Sequence, residues 1–257
     1  MFARLIAIVR ATHFLPTVTV TTVAALLART ADHPTPWLIA GAVVLGQASV
    51  GWSNDAIDAR RDALNQRGSK PTVQGRVSPR LLGVLALIAL VLTVPVSLLA
   101  AGQGRGLLHV LAVLSAWLYN VGVKATWFSF VPYAFSFALL PLVVGSPQLW
   151  VVVVFALFGV GAHLANGIAD IEHDVRSDTR GIVARLGARA STLLALVLLL
   201  TATWVITVAA ESAWPWALPA AALVVVVVLR RRLFHASLVL AMLNALWIVL
   251  HSASVFA

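Results

Sequence analysis

The feature that most restricts the fold of this chain is its series of long apolar runs, which fill most of its 257 residues. An α-helix needs about 17 to 25 apolar residues to cross the ~30 Å hydrocarbon core of a bilayer. Hydrophobic residues make up 61% of the chain and charged residues only 11%. A water-soluble globule cannot bury that much apolar surface, so the sequence predicts an all-α integral membrane protein that contacts membrane lipids.

The apolar runs predict nine transmembrane helices within a single domain, 1–257. The first run also has features of a signal peptide, but Pro16 and the threonines that follow it favour a packed membrane helix. The predicted spans are 12–29, 36–54, 81–101, 106–123, 128–146, 149–169, 190–210, 213–229 and 233–255.

The basic residues fall mainly on one side of the membrane if the nine spans alternate in direction. Of the 18 Lys and Arg residues, only Arg29 and Arg105 then lie on the opposite side. The positive-inside rule therefore predicts a multi-pass protein of the cell membrane with a cytoplasmic N-terminus and with its C-terminus, Ala257, outside. Because the charges lie in short loops beside spans, they predict no nucleic-acid partner. The chain has no cysteine, which excludes a thiol nucleophile.

Two matching polar patterns lie at the ends of the second and sixth predicted spans. Each places one Asn and two Asp residues at positions i, i+4 and i+8. A four-residue step returns to nearly the same face of a helix, so each pattern sets its oxygen ligands in a row. The two triplets are Asn54, Asp58, Asp62 and Asn166, Asp170, Asp174.

The two patterns are expected to form one site. Four membrane crossings separate them, so both open on the cytoplasmic side. This predicts two parallel repeats of four helices plus a ninth helix around a central cavity. The cytoplasmic loops that carry the acidic motifs are predicted at 55–80 and 166–189. In the alternative interpretation, the acidic residues only cap helix ends and face solvent.

The clustered carboxylates predict a magnesium site. Ionisable groups at a membrane are costly unless they are paired and face a cavity. Mg²⁺ prefers hard oxygen ligands and commonly binds one or two carboxylates together with phosphate oxygens. Two carboxylate rows therefore predict two Mg²⁺ ions that hold one diphosphate. The predicted ligands are Asn54, Asp55, Asp58, Asp62, Asn166, Asp170 and Asp174.

Basic residues in the loops are candidates for binding that diphosphate. Arg67 and Lys70 follow the first pattern, and Arg180 follows the second. Lys124 lies between the fourth and fifth spans. Such donors stabilise negative charge as it develops on a leaving phosphate oxygen. Two amides are expected to contact the same diphosphate, namely Asn54 and Asn166.

These motifs resemble those of UbiA-type intramembrane prenyltransferases. Asn54-Asp55-Ala-Ile-Asp58-Ala-Arg-Arg-Asp62, with Lys70-Pro71 and Gly75 after it, is similar to the first family signature, N-D-x-x-D-x-x-x-D. Asp170-Ile-Glu-His-Asp174 is similar to the second, D-x-x-x-D. The resemblance covers nearly the whole chain. It implies Mg²⁺-dependent transfer of an isoprenyl group from an allylic prenyl diphosphate to a small acceptor, often aromatic, or to a lipid.

The resemblance also implies further site residues. Family members often have a Tyr-x-x-x-Lys element, whereas here four residues separate Tyr119 from Lys124. This pair and Arg180 are the implied catalytic residues. His163 is a candidate to orient or deprotonate an acceptor, although a lone His in a membrane helix is more often a packing residue. The aromatic residues expected to line an isoprenoid cavity are Trp52, Trp117, Tyr133, Phe135 and Phe137.

Two other functions remain compatible with the sequence. A UbiA-like terpene cyclase would use the same ionisation machinery but quench the cation within its own chain, so the motifs do not separate it from a transferase. A transporter or channel would also carry parallel repeats and carboxylates within the membrane. That function leaves the basic segment at 60–80 without a specific task.

Overall fold

A computed structural model describes residues 2–209, 214–229, 231–251 and 255–256. The regular elements in these ranges are helical, with no named strand. Ala257, whose position outside the membrane is predicted from the charges, lies outside the described residues. The helices are α1 (Phe2–Arg10), α2 (Phe14–Thr30), α3 (Pro36–Leu64), α4 (Pro79–Val121), α5 (Val131–Val144), α6 (Leu149–Gly167), α7 (Ile171–Arg176), α8 (Ile182–Ala209), α9 (Ala217–Val228) and α10 (Leu233–His251).

Several of these helices are suited to cross a membrane. Among the described residues, four stretches are long and apolar enough on their own: α4, Leu149–Arg176, α8 and Leu233–Leu250. α1 and α2 pass the same test together, although they meet at 62°. α5 and α9 are apolar but shorter. The prediction of an all-helical, multi-pass membrane protein is therefore confirmed, whereas length and composition do not establish nine crossings.

The third and fourth predicted spans form one helical element, α4. Its backbone leaves helical geometry at Gly102, with φ 75° and ψ 172°, a region that residues with a side chain rarely adopt. A Cβ on Gly106 would lie 2.6 Å from the carbonyl oxygen of Ser97, so the two arms of α4 pack directly on each other. The gap between these two predicted spans, residues 102–105, is thus a bend at a glycine.

The first acidic motif lies on a helix and not in a loop. α3 continues past residue 54, the predicted end of the second span, as far as Leu64. The residues after Asn54 include the good helix formers Ala, Arg and Leu, so the end of the apolar run does not end the helix. The predicted loop at 55–80 therefore begins as the last turns of α3.

The second acidic motif also lies mainly on helical backbone. A 3₁₀ turn, Ile168–Asp170, connects α6 directly to α7. α8 then begins at Ile182, before the predicted seventh span at 190–210, and bends at Gly187, where φ is 78°. Only a short irregular stretch separates α7 from α8.

The apolar side chains fall into a buried core and an exposed outer surface. Leu27, Leu199, Ile206 and Leu240 are fully buried between the helices. Many equally apolar side chains face outward, and Leu99 is 79% exposed. An outer surface of this kind suits lipid hydrocarbon, because a contiguous apolar surface of such extent marks a membrane contact.

Candidate active site

The first triplet lies along one face of α3, near its C-terminal end. Asp58 and Asp62 are both buried. The side-chain amide of Asn54 donates a hydrogen bond to Asp58 Oδ2 at 3.2 Å. Four-residue steps on a helix align the three side chains, so a row of oxygen atoms faces the interior of the helical bundle.

Arg67 connects the two acidic motifs. One guanidinium nitrogen donates to Asp62 Oδ1 at 3.3 Å, and another donates to Asp170 Oδ1. Asp62 belongs to α3, whereas Asp170 ends the 3₁₀ turn after α6. Burial disfavours the charged form of Arg67, but the negative charges of Asp170 and Asp62 outweigh it and raise its pKa. The two motifs therefore face each other across one cation.

Lys124 brings a second cation to the same carboxylates. It lies in a 3₁₀ turn between α4 and α5, and its Nζ donates to Asp58 Oδ1 at 2.5 Å. Arg61 contacts the other oxygen of Asp58 at 2.8 Å. Burial lowers the pKa of Lys124, although Asp58 opposes this effect. A Cβ on Gly181 would lie 2.4 Å from the carbonyl oxygen of Lys124, so the segment after the second motif packs against this turn.

Asp55 belongs to a neighbouring ion pair. It is 1% exposed, and its Oδ1 lies 2.5 Å from Lys70 Nζ and 3.3 Å from His13 Nε2. Gly51 permits the approach of His13, because a Cβ there would lie 2.6 Å from the Thr12 backbone. Burial raises the pKa of Asp55, but hydrogen bonding from His13 and the charge of Lys70 lower it overall. Asp55 thus pairs with residues other than those that hold Asp58 and Asp62.

Some side-chain oxygen atoms at this site have no protein partner. Asp62 Oδ2 is buried without a hydrogen bond. Within the described chain, Asp174 forms no direct ion pair and Asn166 makes no side-chain hydrogen bond; both are partly buried. No group of three or more His, Asp or Glu side chains in the described ranges is arranged as a ready-made metal site. The basic side chains instead hold several of the carboxylates.

Tyr119 and Arg180 have different surroundings. The Tyr119 ring packs edge-on against Tyr133 and His163, with centroid distances of 5.3 Å and 5.7 Å. Arg180 is half exposed, and its Nε lies 3.7 Å from Asp178 Oδ1. The structure therefore places Tyr119 in a partly buried aromatic group, whereas the ion pair of Arg180 is with a neighbouring loop residue.

His163 is buried within that aromatic group. Its ring centroid lies 4.7 Å from that of Tyr133. His163 Nε2 is 3.1 Å from Ser129 Oγ, which also accepts a hydrogen bond from the Ile182 backbone N–H. The other ring nitrogen, Nδ1, is buried without a hydrogen-bond partner. Tyr119, Tyr133 and His163 are called the aromatic trio below.

The other aromatic candidates do not all face the interior. Trp52 donates to the Ile8 carbonyl at 2.9 Å, and Trp117 donates to Ser49 Oγ at 3.2 Å, so both indoles help to pack helices. Phe135 is 44% exposed on the outer surface. Phe137 lines an apolar cavity between α2, α5, α6, α8 and α10. Among these four residues, only Phe137 lies where a residue that lines an isoprenoid cavity is expected.

Asn120, which positions Asn54, is not among the site residues that the sequence predicts. Asn120 is 2% exposed, and its Oδ1 accepts a hydrogen bond from Asn54 Nδ2 at 3.2 Å. Its own amide nitrogen donates to the Val50 carbonyl at 2.9 Å and to Ser53 Oγ at 2.8 Å. A single Asn inside the apolar run before Lys124 was the available signal, since polar side chains in membrane helices commonly bond to a neighbouring helix.

Comparisons with known proteins assign the family and the fold. A model of the UbiA prenyltransferase family matches residues 17–238. No match was found among the curated proteins. An apo UbiA homolog from Aeropyrum pernix K1 has a TM-score of 0.70 at 20% identity, covering 91% of this chain and 96% of that chain.

Two further solved structures have the same fold. A UbiA homolog from Archaeoglobus fulgidus bound to GPP and Mg²⁺ has a TM-score of 0.70 at 12% identity, covering 94% of this chain and 97% of that one. A structure described for digeranylgeranylglyceryl phosphate synthase has a TM-score of 0.67 at 16% identity, covering 97% and 99% of the two chains.

Proposed function

The chain belongs to the UbiA prenyltransferase family, and from this membership we propose that it transfers an isoprenyl group from an allylic prenyl diphosphate to an acceptor within the membrane. The acceptor class is a small molecule, often aromatic, or a lipid. The proposal rests mainly on one observation: Arg67 contacts both Asp62 and Asp170. This contact brings the two acidic motifs together with a cation that is suited to bind phosphate. UbiA homologs of the same fold have been solved with GPP or DMAPP and Mg²⁺.

The donor chemistry of the site fits Mg²⁺. Its polar side chains offer carboxylate and amide oxygens, which are the hard ligands that this ion prefers. Asp62 Oδ2 is buried without a partner, as expected of an oxygen available to a cation. When bound, Mg²⁺ would supply Lewis-acid charge to the diphosphate. The residues proposed to hold it are Asn54, Asp55, Asp58, Asp62, Asn166, Asp170 and Asp174.

The basic side chains are proposed to hold the leaving group. Arg67, Lys70 and Lys124 would exchange carboxylate oxygens for diphosphate oxygens as the substrate enters. The allylic C–O bond then breaks with both electrons on the oxygen, and these donors stabilise the charge that grows there. Arg180 would join them after a change in its side-chain position, since its present ion pair is with Asp178.

The aromatic trio and the cavity next to it suit the isoprenyl part of the substrate. Aromatic faces attract cations, so we expect Tyr119 and Tyr133 to stabilise an allylic cation formed beside the carboxylates. The apolar cavity would exclude water from this cation. The acceptor forms the new bond and then loses a proton, for which His163 Nδ1 is a candidate because it has no protein partner.

The proposed topology has nine crossings. α2, α3, the two arms of α4, α5, α6, α8, α9 and α10 would supply them. This arrangement would put both acidic motifs on the cytoplasmic side, with the N-terminus, in two repeats of four helices plus a ninth around the central cavity. It is supported by the contact between the motifs through Arg67, since two motifs on opposite sides of a membrane could not share one guanidinium.

One assay tests the proposed function. Purified protein in nanodiscs is incubated with dimethylallyl, geranyl, farnesyl or geranylgeranyl diphosphate, with Mg²⁺ or with EDTA, and with or without a lipid extract as the acceptor source. We expect diphosphate release and a prenylated product that require both Mg²⁺ and the extract. Cyclised hydrocarbon formed without the extract would instead indicate a terpene cyclase. Flux across vesicles without diphosphate release would indicate a transporter.

A further inference from the structure

The short helix α1 lies before the first predicted span and has no task in the proposed reaction. Its exposed apolar side chains follow the spacing i, i+3, i+4 and i+7, which places them in one stripe along a helix. They are Phe2, Leu5, Ile6 and Val9. Phe2 is 76% exposed and Leu5 is 60% exposed. A contiguous apolar surface of this kind marks a contact with another molecule or with a membrane.

The opposite face of α1 packs on the helical bundle. Ala7 is buried, and Ile8 contacts a small buried cluster formed by Ala11, Val77 and Leu82. This cluster joins α1 to the beginning of α4 and to the segment before it. α1 is therefore fixed to the protein along one side, and its apolar stripe faces away from the bundle.

The contacts of α1 place it where α3 passes from apolar to polar residues. The indole of Trp52, on α3, donates a hydrogen bond to the Ile8 carbonyl at 2.9 Å. Only two residues later, at Asn54, the apolar run of α3 ends and the first acidic motif begins. Such a transition marks the membrane–water interface, where tryptophan side chains are also enriched. α1 thus lies at the level of this interface.

The direction of α1 also suits the interface. α1 and α2 meet at 62°, and the chain turns at His13, whose φ is 59°. The contact of His13 Nε2 with Asp55 Oδ1 at 3.3 Å fixes this turn to α3. α2 alone has 17 residues and a length of about 26 Å, which is close to the ~30 Å of the hydrocarbon core. α1 is therefore not needed to complete the crossing and can lie along the membrane surface.

Exposed basic side chains surround this helix. Arg4 and Arg10 lie on α1 outside the apolar stripe, and Arg76 and Arg80 belong to the segment on which α1 packs. All four are exposed, and residues 1–31 contain no acidic side chain. Long basic side chains extend from an apolar surface towards water and headgroups. Basic residues near a membrane surface favour anionic lipids.

We propose that α1 is an interfacial helix that binds anionic phospholipids, with its apolar stripe in the upper acyl region and with Arg4 and Arg10 at the headgroup phosphates. This inference does not depend on the proposed reaction. A second copy of the chain fits the stripe less well, because a symmetric contact would bring the same arginines together. Deep insertion of α1 into hydrocarbon is also disfavoured, because it would take both arginines out of water.

Quenching of one fluorescent probe on α1 tests the proposal. The chain has no cysteine, so the thiol of L5C is the only one to label. Full-length L5C carries bimane and is placed in phosphatidylcholine nanodiscs. Quenchers are iodide in water, or the same minor fraction of phosphatidylglycerol or phosphatidylcholine with a spin label high on the acyl chain. Q74C, in an exposed loop, is the water-exposed reference. Folding is checked by melting temperature and by elution as a single peak.

The L5C probe should be quenched by both labelled lipids and much less by iodide than the Q74C probe. The ratio of quenching by phosphatidylglycerol to quenching by phosphatidylcholine should exceed one. It should fall by at least about threefold in L5C/R4Q/R10Q, because each basic side chain near the surface favours anionic lipid by roughly fivefold. High salt should lower the ratio in L5C, because salt screens these charges.

Two control variants separate charge from other effects. R4K/R10K, in the L5C background, keeps both charges and should keep the ratio. R29Q removes an exposed arginine from the last turn of α2, at the other end of that helix, and should also keep the ratio. A ratio that falls equally in R29Q and in R4Q/R10Q would show that total charge, and not α1, attracts the lipid, and would overturn the inference.

Three other results would also overturn it. A Leu5 probe quenched by iodide as strongly as the Q74C probe would mean that the stripe faces water. A probe protected from iodide and from both labelled lipids would mean that protein covers the stripe, as in a dimer. Equal quenching by the two lipids would mean that α1 contacts acyl chains without selecting anionic headgroups.

Discussion

Replacing Lys70 with methionine should destabilise the fold, in addition to any effect on catalysis. Lys70 Nζ lies 2.5 Å from Asp55 Oδ1, and the two side chains are 16% and 1% exposed. Methionine keeps most of the length and apolar stem of lysine but removes the charge. Asp55 then remains buried on α3 with only His13, at 3.3 Å, as a partner.

The size of the effect follows from this burial. Breaking a fully buried ion pair by removing one partner costs about 3–5 kcal/mol, because the other charge is left unpaired. An exposed pair contributes only about 0–1 kcal/mol. Lys70 is partly reached by water and His13 remains nearby, so we expect K70M to lower the free energy of unfolding by about 2–3 kcal/mol.

The loss should depend on pH in a defined direction. The pKa of Asp55 is lowered in the folded protein, so its contribution to stability is present above the unfolded pKa and is lost as pH falls through the folded pKa. Without Lys70, burial acts on Asp55 with less opposition and raises its pKa. Acidification from neutral pH should then protonate Asp55 in K70M before it protonates Asp55 in wild type, and the difference in stability between the two proteins should narrow.

The assay is unfolding in detergent micelles, followed by circular dichroism, with a double-mutant cycle. D55N/K70M removes both charges and should recover at least half of the K70M loss. R76M is the matched control, since Arg76 lies in the same loop, is exposed, and has no ion pair within the described chain. A K70M protein as stable as R76M, or a double variant less stable than K70M, would refute the buried-pair argument.

Three further predictions concern catalysis and topology. Asp174→Asn should abolish diphosphate release while the melting temperature stays unchanged, because Asp174 has no direct ion pair in the described chain to lose. Turnover retained by this variant would remove Asp174 from the proposed metal ligands. Lys124→Ala should raise the activation barrier for diphosphate release by about 2.7–4 kcal/mol, measured as a decrease in kcat. Arg180→Ala should decrease kcat less, because Arg180 is half exposed. Equal decreases in kcat for the two variants would contradict this order. Reporter fusions should place Arg76 and Arg180 in the cytoplasm and Arg105 outside, and any exchange of sides would refute the nine-span topology.

Much of the helical layout could be predicted from hydropathy, but helix ends could not. The apolar run of the second span stops at residue 54, whereas α3 continues to Leu64. Hydropathy reports which residues suit lipid, while helix formation depends on backbone preference and packing, which Ala56, Ala59 and Ala63 favour. For the same reason α8 begins at Ile182, well before its apolar run.

The alignment of the first acidic motif could be predicted from the sequence, but the pairing of its carboxylates with cations could not. The four-residue spacing alone is enough to place Asn54, Asp58 and Asp62 on one face of a helix. Which cation each carboxylate contacts depends on how the loops return to the bundle. Nothing in the sequence distinguishes Arg67, which joins the two motifs, from Lys70, which pairs with Asp55.

The pairing of carboxylates with cations has a consequence for ligand binding. Diphosphate alone would draw Arg67 and Lys124 away from Asp62 and Asp58 and leave buried carboxylates without partners. Mg²⁺ alone would occupy carboxylates whose own cations then lie close to it and repel it. Each ligand removes the penalty that the other creates, so the two should bind cooperatively, and linkage requires the coupling to be equal in both directions. Calorimetric titration of geranyl diphosphate should therefore give a Kd at least about tenfold lower with Mg²⁺ than with EDTA. Equal Kd values under the two conditions would show that Arg67 and Lys124 do not need to exchange partners when diphosphate binds.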